Sequence, residues 1–314
     1  MSRSDAGAAN SGWAARIMDA EAFDLLASVL PASAVWSVLL EIFARRAAAR
    51  TPADLVRQWE RDPFCQPSAV DQRTLVELDR HLLAAAPLFE AIELSPLAPL
   101  GACSVVARAS QNKIVSSLRG TEVLADPTNS LALEAAHRLR QDRRQVVRLA
   151  TCHRCVRAQP VPKQPGFAQH FRLFCLASAG IERPDQGLVI DELVEHITTY
   201  LGALDRLEQH GYRFPDRQLT IFASAERSEL GERVVRRVER LIGTSRAPLE
   251  QPYYDGLRFT INVRHFAGAM VPLIDGGRFE WLGTLAANRK LAFVASGLGS
   301  QVAAYAFRAG GSQT

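Results

Sequence analysis

Two runs of strand-forming residues, Val146–Cys155 and Phe171–Ala177, are joined only by a polar loop, Ala158–Ala168, that carries Pro160, Pro162 and Pro165. No helical segment lies between them, so the two runs are expected to pair antiparallel. The same holds upstream. Phe89–Leu94, Ser104–Ala107, Lys113–Leu118 and Glu122–Ala125 read as short strands separated by polar turns. A parallel doubly wound sheet, which needs a helix after each strand, fits this order poorly.

The remaining pattern is helical. Leu25, Leu26, Val29 and Leu30 form one apolar stripe, and Val35, Leu39, Ile42 and Phe43 form a second after Pro31. Thr51-Pro52 is a cap followed by proline at the first helical position, opening a third helix through Trp59. Asp62-Pro63 and Gln66-Pro67-Ser68 break the pattern, and a further helix runs from Asp71 to Ala85. Asp126-Pro127-Thr128-Asn129 stops a strand before the helix Ser130–Leu139. Later come a long helix from Asp191 to His210, a buried-type strand Gln218–Ala223 and a charged helix Glu229–Leu241. The C-terminal third reads strand, strand, strand, glycine turn, helix. The expected fold is α+β: a six- to seven-stranded antiparallel sheet flanked by helices. A disordered tail over 1–12 and a helical segment over 13–74 precede a core over 75–314.

Composition narrows the function classes. The 314 residues are 47% hydrophobic and 22% charged, with a formal net charge of +4 and no compact basic run. That excludes a nucleic-acid reading from charge alone. No stretch reaches the ~18 uncharged apolar residues of a membrane span, and the start lacks a signal-peptide core. Five cysteines, an odd number, fit reduced thiols, and the expected location is cytoplasmic. Cys152-His153-Arg154-Cys155 suggests zinc, but on a strand Cys152 and Cys155 point to opposite faces, so no metal site is expected. There is no G-x-x-x-x-G-K-[ST], H-E-x-x-H or G-x-S-x-G motif.

Three segments in a fixed order carry a family resemblance: Val147–Gly180; Tyr253-Tyr254-Asp255-Gly256 with Asp275-Gly276-Gly277-Arg278-Phe279; and Phe293–Phe307 with its Gly297-Leu298-Gly299 turn. Together they resemble the catalytic core of class II aminoacyl-tRNA synthetases, closest to the histidyl enzyme and to the regulatory subunit of ATP phosphoribosyltransferase. The resemblance spans roughly residues 75–308. It implies ATP bent over an antiparallel sheet, with fixed guanidinium groups stabilising charge on the α-phosphate. Arg154 falls at the family's strand arginine. Arg172 falls at the arginine after the loop, followed by Phe174 at the residue that stacks on adenine. Asp126, Thr128 and Asn129 fall at a corner that contacts the amino acid, although Thr128 and Asn129 are equally an ordinary helix cap. Gly276, Gly277, Gly297 and Gly299 let backbone approach a ligand closely. Glu182 keeps a substrate-holding glutamate.

The departures bear on activity. Val156 stands at the usual acid, and Ser178 at the histidyl enzymes' glutamine. Leu249-Glu250-Gln251-Pro252, just before Tyr253, has no arginine, and Arg246 lies too early. Gln301 replaces the terminal arginine, and a neutral amide cannot make that charge-assisted contact to a triphosphate. No anticodon-binding domain is expected after the core. The resemblance with these losses implies a paralogue that does not charge tRNA. It would bind a small amino acid-like or nucleotide ligand as a regulatory or accessory subunit, as a homodimer through about Asp71–Leu94, with an enzyme partner. The alternative is an adenylate-forming ligase that uses ATP and Mg²⁺ to activate a carboxylic acid for a non-tRNA acceptor.

Overall fold

The computed structural model describes residues 16–161, 167–265 and 268–309. The expected tail over 1–12 and the middle of the proline-bearing loop lie outside them. Helices α1 (Ala20–Asp24, running into a π turn, Leu25–Val29), α2 (Ala32–Ala48) and α3 (Pro52–Arg61) come first. Thr51 caps α3 through a full capping box with Asp54, and Pro52 takes the first position, where its missing N–H costs nothing. Helix α4 (Gln72–Ala84) is capped by Asp71 and is the first helix to bury side chains.

The core then runs through β1 (Glu90–Ala91), β2 (Leu97–Pro99), β3 (Ser116–Ser117) and β4 (Thr121–Val123) to α5 (Pro127–Gln141). The pair β5 (Val147–Val156) and β6 (His170–Ile181) leads to α6 (Gly187–Glu208), β7 (Gln218–Ala223), α7 (Ser228–Val238) and β8 (Thr244–Pro248). Last come β9 (Leu257–Arg264), β10 (Met270–Phe279), α8 (Trp281–Leu285), β11 (Leu291–Leu298) and α9 (Ser300–Ala306).

The main sheet has eight strands in the order β1-β5-β6-β11-β10-β9-β7-β8. The six central strands pair antiparallel, but β1 pairs β5 and β7 pairs β8 in parallel. This corrects the six- to seven-stranded antiparallel expectation to an eight-stranded mixed sheet. The reason is connectivity. Each outer pair is joined through a helix, α5 before β5 and α7 before β8, and a crossover returns the chain in the same direction. A small sheet, β2-β4-β3, sits apart.

Helices α4, α6, α7 and α9 cover the back face. There Leu75, Leu78, Phe174, Tyr200 and Phe259 share one apolar cluster. The front face packs Leu131, Cys175, Phe279, Trp281 and Phe293 against α5 and α8. On the back face a fully buried His196 accepts from Ser178 Oγ at 3.0 Å through Nε2 and donates to Ser296 Oγ at 2.7 Å through Nδ1.

The segment read as a strand at Ser104–Ala107 is a π-helical turn, Ala102–Val106. Glu122, only 2% exposed, accepts the backbone N–H groups of Gly101 at 2.8 Å and Cys103 at 2.9 Å. A carboxylate that holds two backbone donors two residues apart curls the chain around itself and withholds them from a ladder. Gly101, at φ +91°, supplies the left-handed residue the turn needs.

Candidate functional site

A cavity of about 490 Å³ opens on the front face. Its floor is the sheet at Leu173, Cys175, Ala295, Gly297 and Asp275, and its end wall is the start of α5. The Asp126 side chain caps α5 by accepting from the N–H (3.0 Å) and hydroxyl (2.7 Å) of Thr128. Asn129, 1% exposed, donates through Nδ2 to Cys103 Sγ at 3.1 Å. Its Oδ1 is buried without a hydrogen-bond partner, and the residue forms part of the cavity wall. Burial, with Asp126 and Glu122 nearby, pushes the Cys103 thiol up to about 11, so it is a neutral wall and not a nucleophile.

An aromatic wall closes one side. Tyr254 meets Tyr253 edge-on at 5.1 Å and Phe279 at 5.0 Å, and Phe279 stacks on Trp281 at 4.0 Å. Burial raises the pKa of both tyrosines, so they stay phenols. Asp275 is held by a two-pronged contact from Arg258, at 2.9 and 3.0 Å. Arg157 stands beside the start of α5. Its Nε donates to the Ala125 carbonyl at 2.9 Å, its Nη2 lies 3.4 Å from Asp126, and its guanidinium covers the Phe171 ring at 5.0 Å. A second notch of about 400 Å³ continues from the cavity where β11 ends, reaching Phe171, Arg172 and Gln301.

Of the residues singled out from sequence, Asp126, Thr128, Asn129, Tyr253, Tyr254, Gly276 and Gly297 line the cavity, and Arg172, Gly297, Gly299 and Gln301 line the notch. Others lie elsewhere, and Arg172, although it borders the notch, turns its guanidinium to the back. Arg154 and Arg172 share a face, as expected, because they are register partners, but it is the back face. Arg172 Nε donates to Asp79 of α4 at 2.7 Å. Arg154 donates to Gln301 Oε1 at 3.2 Å and to His170 Nδ1 at 2.9 Å, and His170 in turn donates to the Gln66 carbonyl at 2.6 Å. Phe174 is fully buried against Tyr200 and offers no stacking surface. Ser178 is in the back core on His196. Glu182 caps the turn into α6 through the Leu188 N–H at 2.9 Å. Gly277 lies under Tyr254, and Arg278 is on the back face, paired with Asp255 at 2.8 Å.

The sequence reading missed Arg157, Asp275 and Cys103. Arg157 is three residues past Arg154, and an odd step along a strand changes face. The usual guide, apolar residues alternating with polar ones, is absent because β5 is buried on both sides. Asp275 had a signal, its place in the Asp-Gly-Gly segment that the resemblance already marked, which is strand β10 and not a turn.

The triphosphate contacts that the resemblance implies are not made by the residues it named. Gln301, 3% exposed, spends its amide oxygen on Arg154 and Ser68 (3.2 Å each), and both arginines expected to grip phosphate are turned to the back. Among the described residues no group of three His, Cys, Asp or Glu side chains is placed to hold a metal ion. Burial raises the thiols of Cys152, Cys155 and Cys175, which opposes the thiolate form a metal requires.

No family model and no curated protein matches the chain by sequence. Solved structures match by shape. An ATP phosphoribosyltransferase regulatory subunit/histidyl-tRNA synthetase from Bacillus halodurans is 15% identical with a TM-score of 0.55, covering 76% of this chain and 82% of that one. A histidine–tRNA ligase subunit from Alicyclobacillus acidocaldarius is 13% identical at 0.55, covering 78% and 96%. A threonyl-tRNA synthetase of Aeropyrum pernix, described as putative, is 13% identical at 0.57, covering 74% of this chain but only 58% of its own length. The chain carries a class II synthetase-like core.

Proposed function

We propose that this chain is a synthetase-like protein that does not charge tRNA and binds a small amine-bearing ligand, amino acid-like, in the front cavity. The observation that carries the reading is the unpartnered acceptor of Asn129 in the cavity wall that also holds the Asp126 carboxylate and, 3.4 Å from it, the Arg157 guanidinium. A buried carbonyl oxygen without a donor is costly, so a ligand N–H there is favoured. Asp126 complements an ammonium group and Arg157 a carboxylate, which together describe a zwitterion. The neutral Gln301 supports a ligand without a triphosphate. The role follows from chemistry that is missing: a pocket that holds a ligand without activating it serves regulation. The similar Bacillus halodurans protein is described as a regulatory subunit, which supports an enzyme partner for this one.

Calorimetric titration with the free amino acids, AMP and ATP tests the reading. The expected result is binding of an amino acid-like ligand, weakened at least tenfold in Asn129→Ala and in Arg157→Ala. Failure of every ligand to bind a folded protein counts against it. Pyrophosphate exchange that depends on Arg157 would establish the adenylating alternative in its place.

A further inference from the structure

The helices before residue 70 are built unlike the core. No residue from 16 to 70 is buried, although α2 is apolar round most of its circumference from Ala32 to Leu40. A helix of that composition is normally covered. On α2, Val38, Ile42 and Phe43 are 44–56% exposed. On α3, Leu55, Val56 and Trp59 recur at helical spacing as one stripe and are 54–56% exposed. At 10 residues α3 is below the ~12–15 at which an isolated helix holds in water, so its stability must come from packing. The arm touches the core where Trp36 meets the Gly120 turn and where Gln66 and Ser68 bond His170 and Gln301.

We infer that this arm is an interface with a second copy of the chain, each arm covering the other's apolar face. Large side chains left half-exposed over three helices amount to on the order of 1,000 Å² of apolar surface. A monomer tolerates a few hundred Å² in a patch, whereas one side of a standard interface is about 800 Å². Charge selects the occupant. Residues 16–61 hold six arginines and six acids and no lysine. That balance gives no attraction to an anionic bilayer or to nucleic acid. The apolar runs before and after Pro31 reach spanning length only as a pair bent by 119°. A balanced mixture of both signs instead suits a second copy of itself. With the twofold axis perpendicular to α3, the two α3 helices run antiparallel, which brings Asp54 in the first turn of one beside Arg61 in the last turn of the other. Residues 1–15 and 310–314, with Trp13 their only large apolar side chain besides Met1, have too little apolar surface to be the cover.

Sedimentation of the full chain at micromolar concentration, with and without Val56→Asp/Trp59→Asp, tests the inference. Amide exchange across 52–61 is followed in parallel. Those side chains are 56% exposed, so the substitutions are expected to leave the core's melting unchanged, and Val38→Glu on α2 serves as the second variant. The expected result is a dimer whose dissociation constant rises at least tenfold in either variant, with loss of exchange protection in α3. A monomeric full chain, a variant that assembles as the parent does, or protection gained only on adding phosphatidylserine vesicles overturns it.

Discussion

Arg154 and Arg172 stand opposite one another across β5 and β6, and both point away from the cavity. Burial and the facing Arg172 hold the Arg154 guanidinium below its ordinary pKa. For Arg172, burial pulls the same way, but the Asp79 carboxylate overcomes it and the shift is upward. Two cations in one register position persist because Asp79 neutralises one, while Gln301 and His170 accept from the other. This is a structural pair. Arg172→Ala leaves Asp79, mostly buried, without its partner, and is expected to cost about 1–3 kcal/mol in urea unfolding. Ligand binding in the cavity should change little. Arg157→Ala is expected to do the reverse, with stability nearly unchanged and affinity lost.

Restoring the family's terminal cation should not restore its chemistry. In Gln301→Arg a guanidinium enters a site where Arg154 already donates, and Ser68 loses its acceptor. Two buried cations in contact, with no acid added, are expected to lower stability by roughly 2 kcal/mol or more. Thermal melting checks this. A variant that melts as the parent does and gains ATP affinity contradicts the placement of Gln301.

Much of the fold was legible because it is local. Thr51-Pro52 and Asp71 start helices by satisfying the first backbone donors, and those signals lie within a few residues. The antiparallel pairing of β5 and β6 followed from the lack of a helix between them. The outer parallel strands were hidden because β1 has two residues, and because Thr244–Pro248 shows no strand pattern of its own. The site was half legible. Asp126 and Tyr254 sit at turns whose residues fix their direction. Arg154 lies on, and Arg157 just past, a strand buried on both faces, where nothing in the sequence says which side is front. Glu122 misled differently: a buried acid that binds Gly101 and Cys103 is a long-range contact, invisible in a window of sequence.

The two glycines of β10 are required by close approach, not by backbone angles. A Cβ on Gly276 would stand 2.2 Å from Ser296 Cβ, and one on Gly277 would stand 2.3 Å from the Leu257 carbonyl. The second neighbour is backbone and cannot rotate away. Gly277→Ala is therefore expected to cost about 2–4 kcal/mol and to displace Tyr254 from the cavity wall. Gly276→Ala is expected to cost about as much through the β10–β11 ladder, with Tyr254 undisturbed. Denaturation midpoints and near-UV dichroism separate the two.

His196 should make stability depend on pH. Burial, with Arg148 as the lesser cause, drops its pKa to about 3. In the unfolded chain a histidine titrates near ~6.5, so between about 3 and 6.5 the unfolded state binds the extra proton. The stabilisation is therefore complete above ~6.5 and is lost as pH falls toward 3, at a slope approaching about 1.4 kcal/mol per pH unit. His81 and His153, also lowered by burial, add to the same trend. His196→Asn removes this proton uptake and shortens the bridge between Ser178 and Ser296. It is expected to be less stable at pH 7 and to lose stability less steeply on acidification. Urea midpoints at pH 7, 6 and 5 read both effects; parallel slopes for variant and parent would mean that His196 already carries its proton in the folded protein.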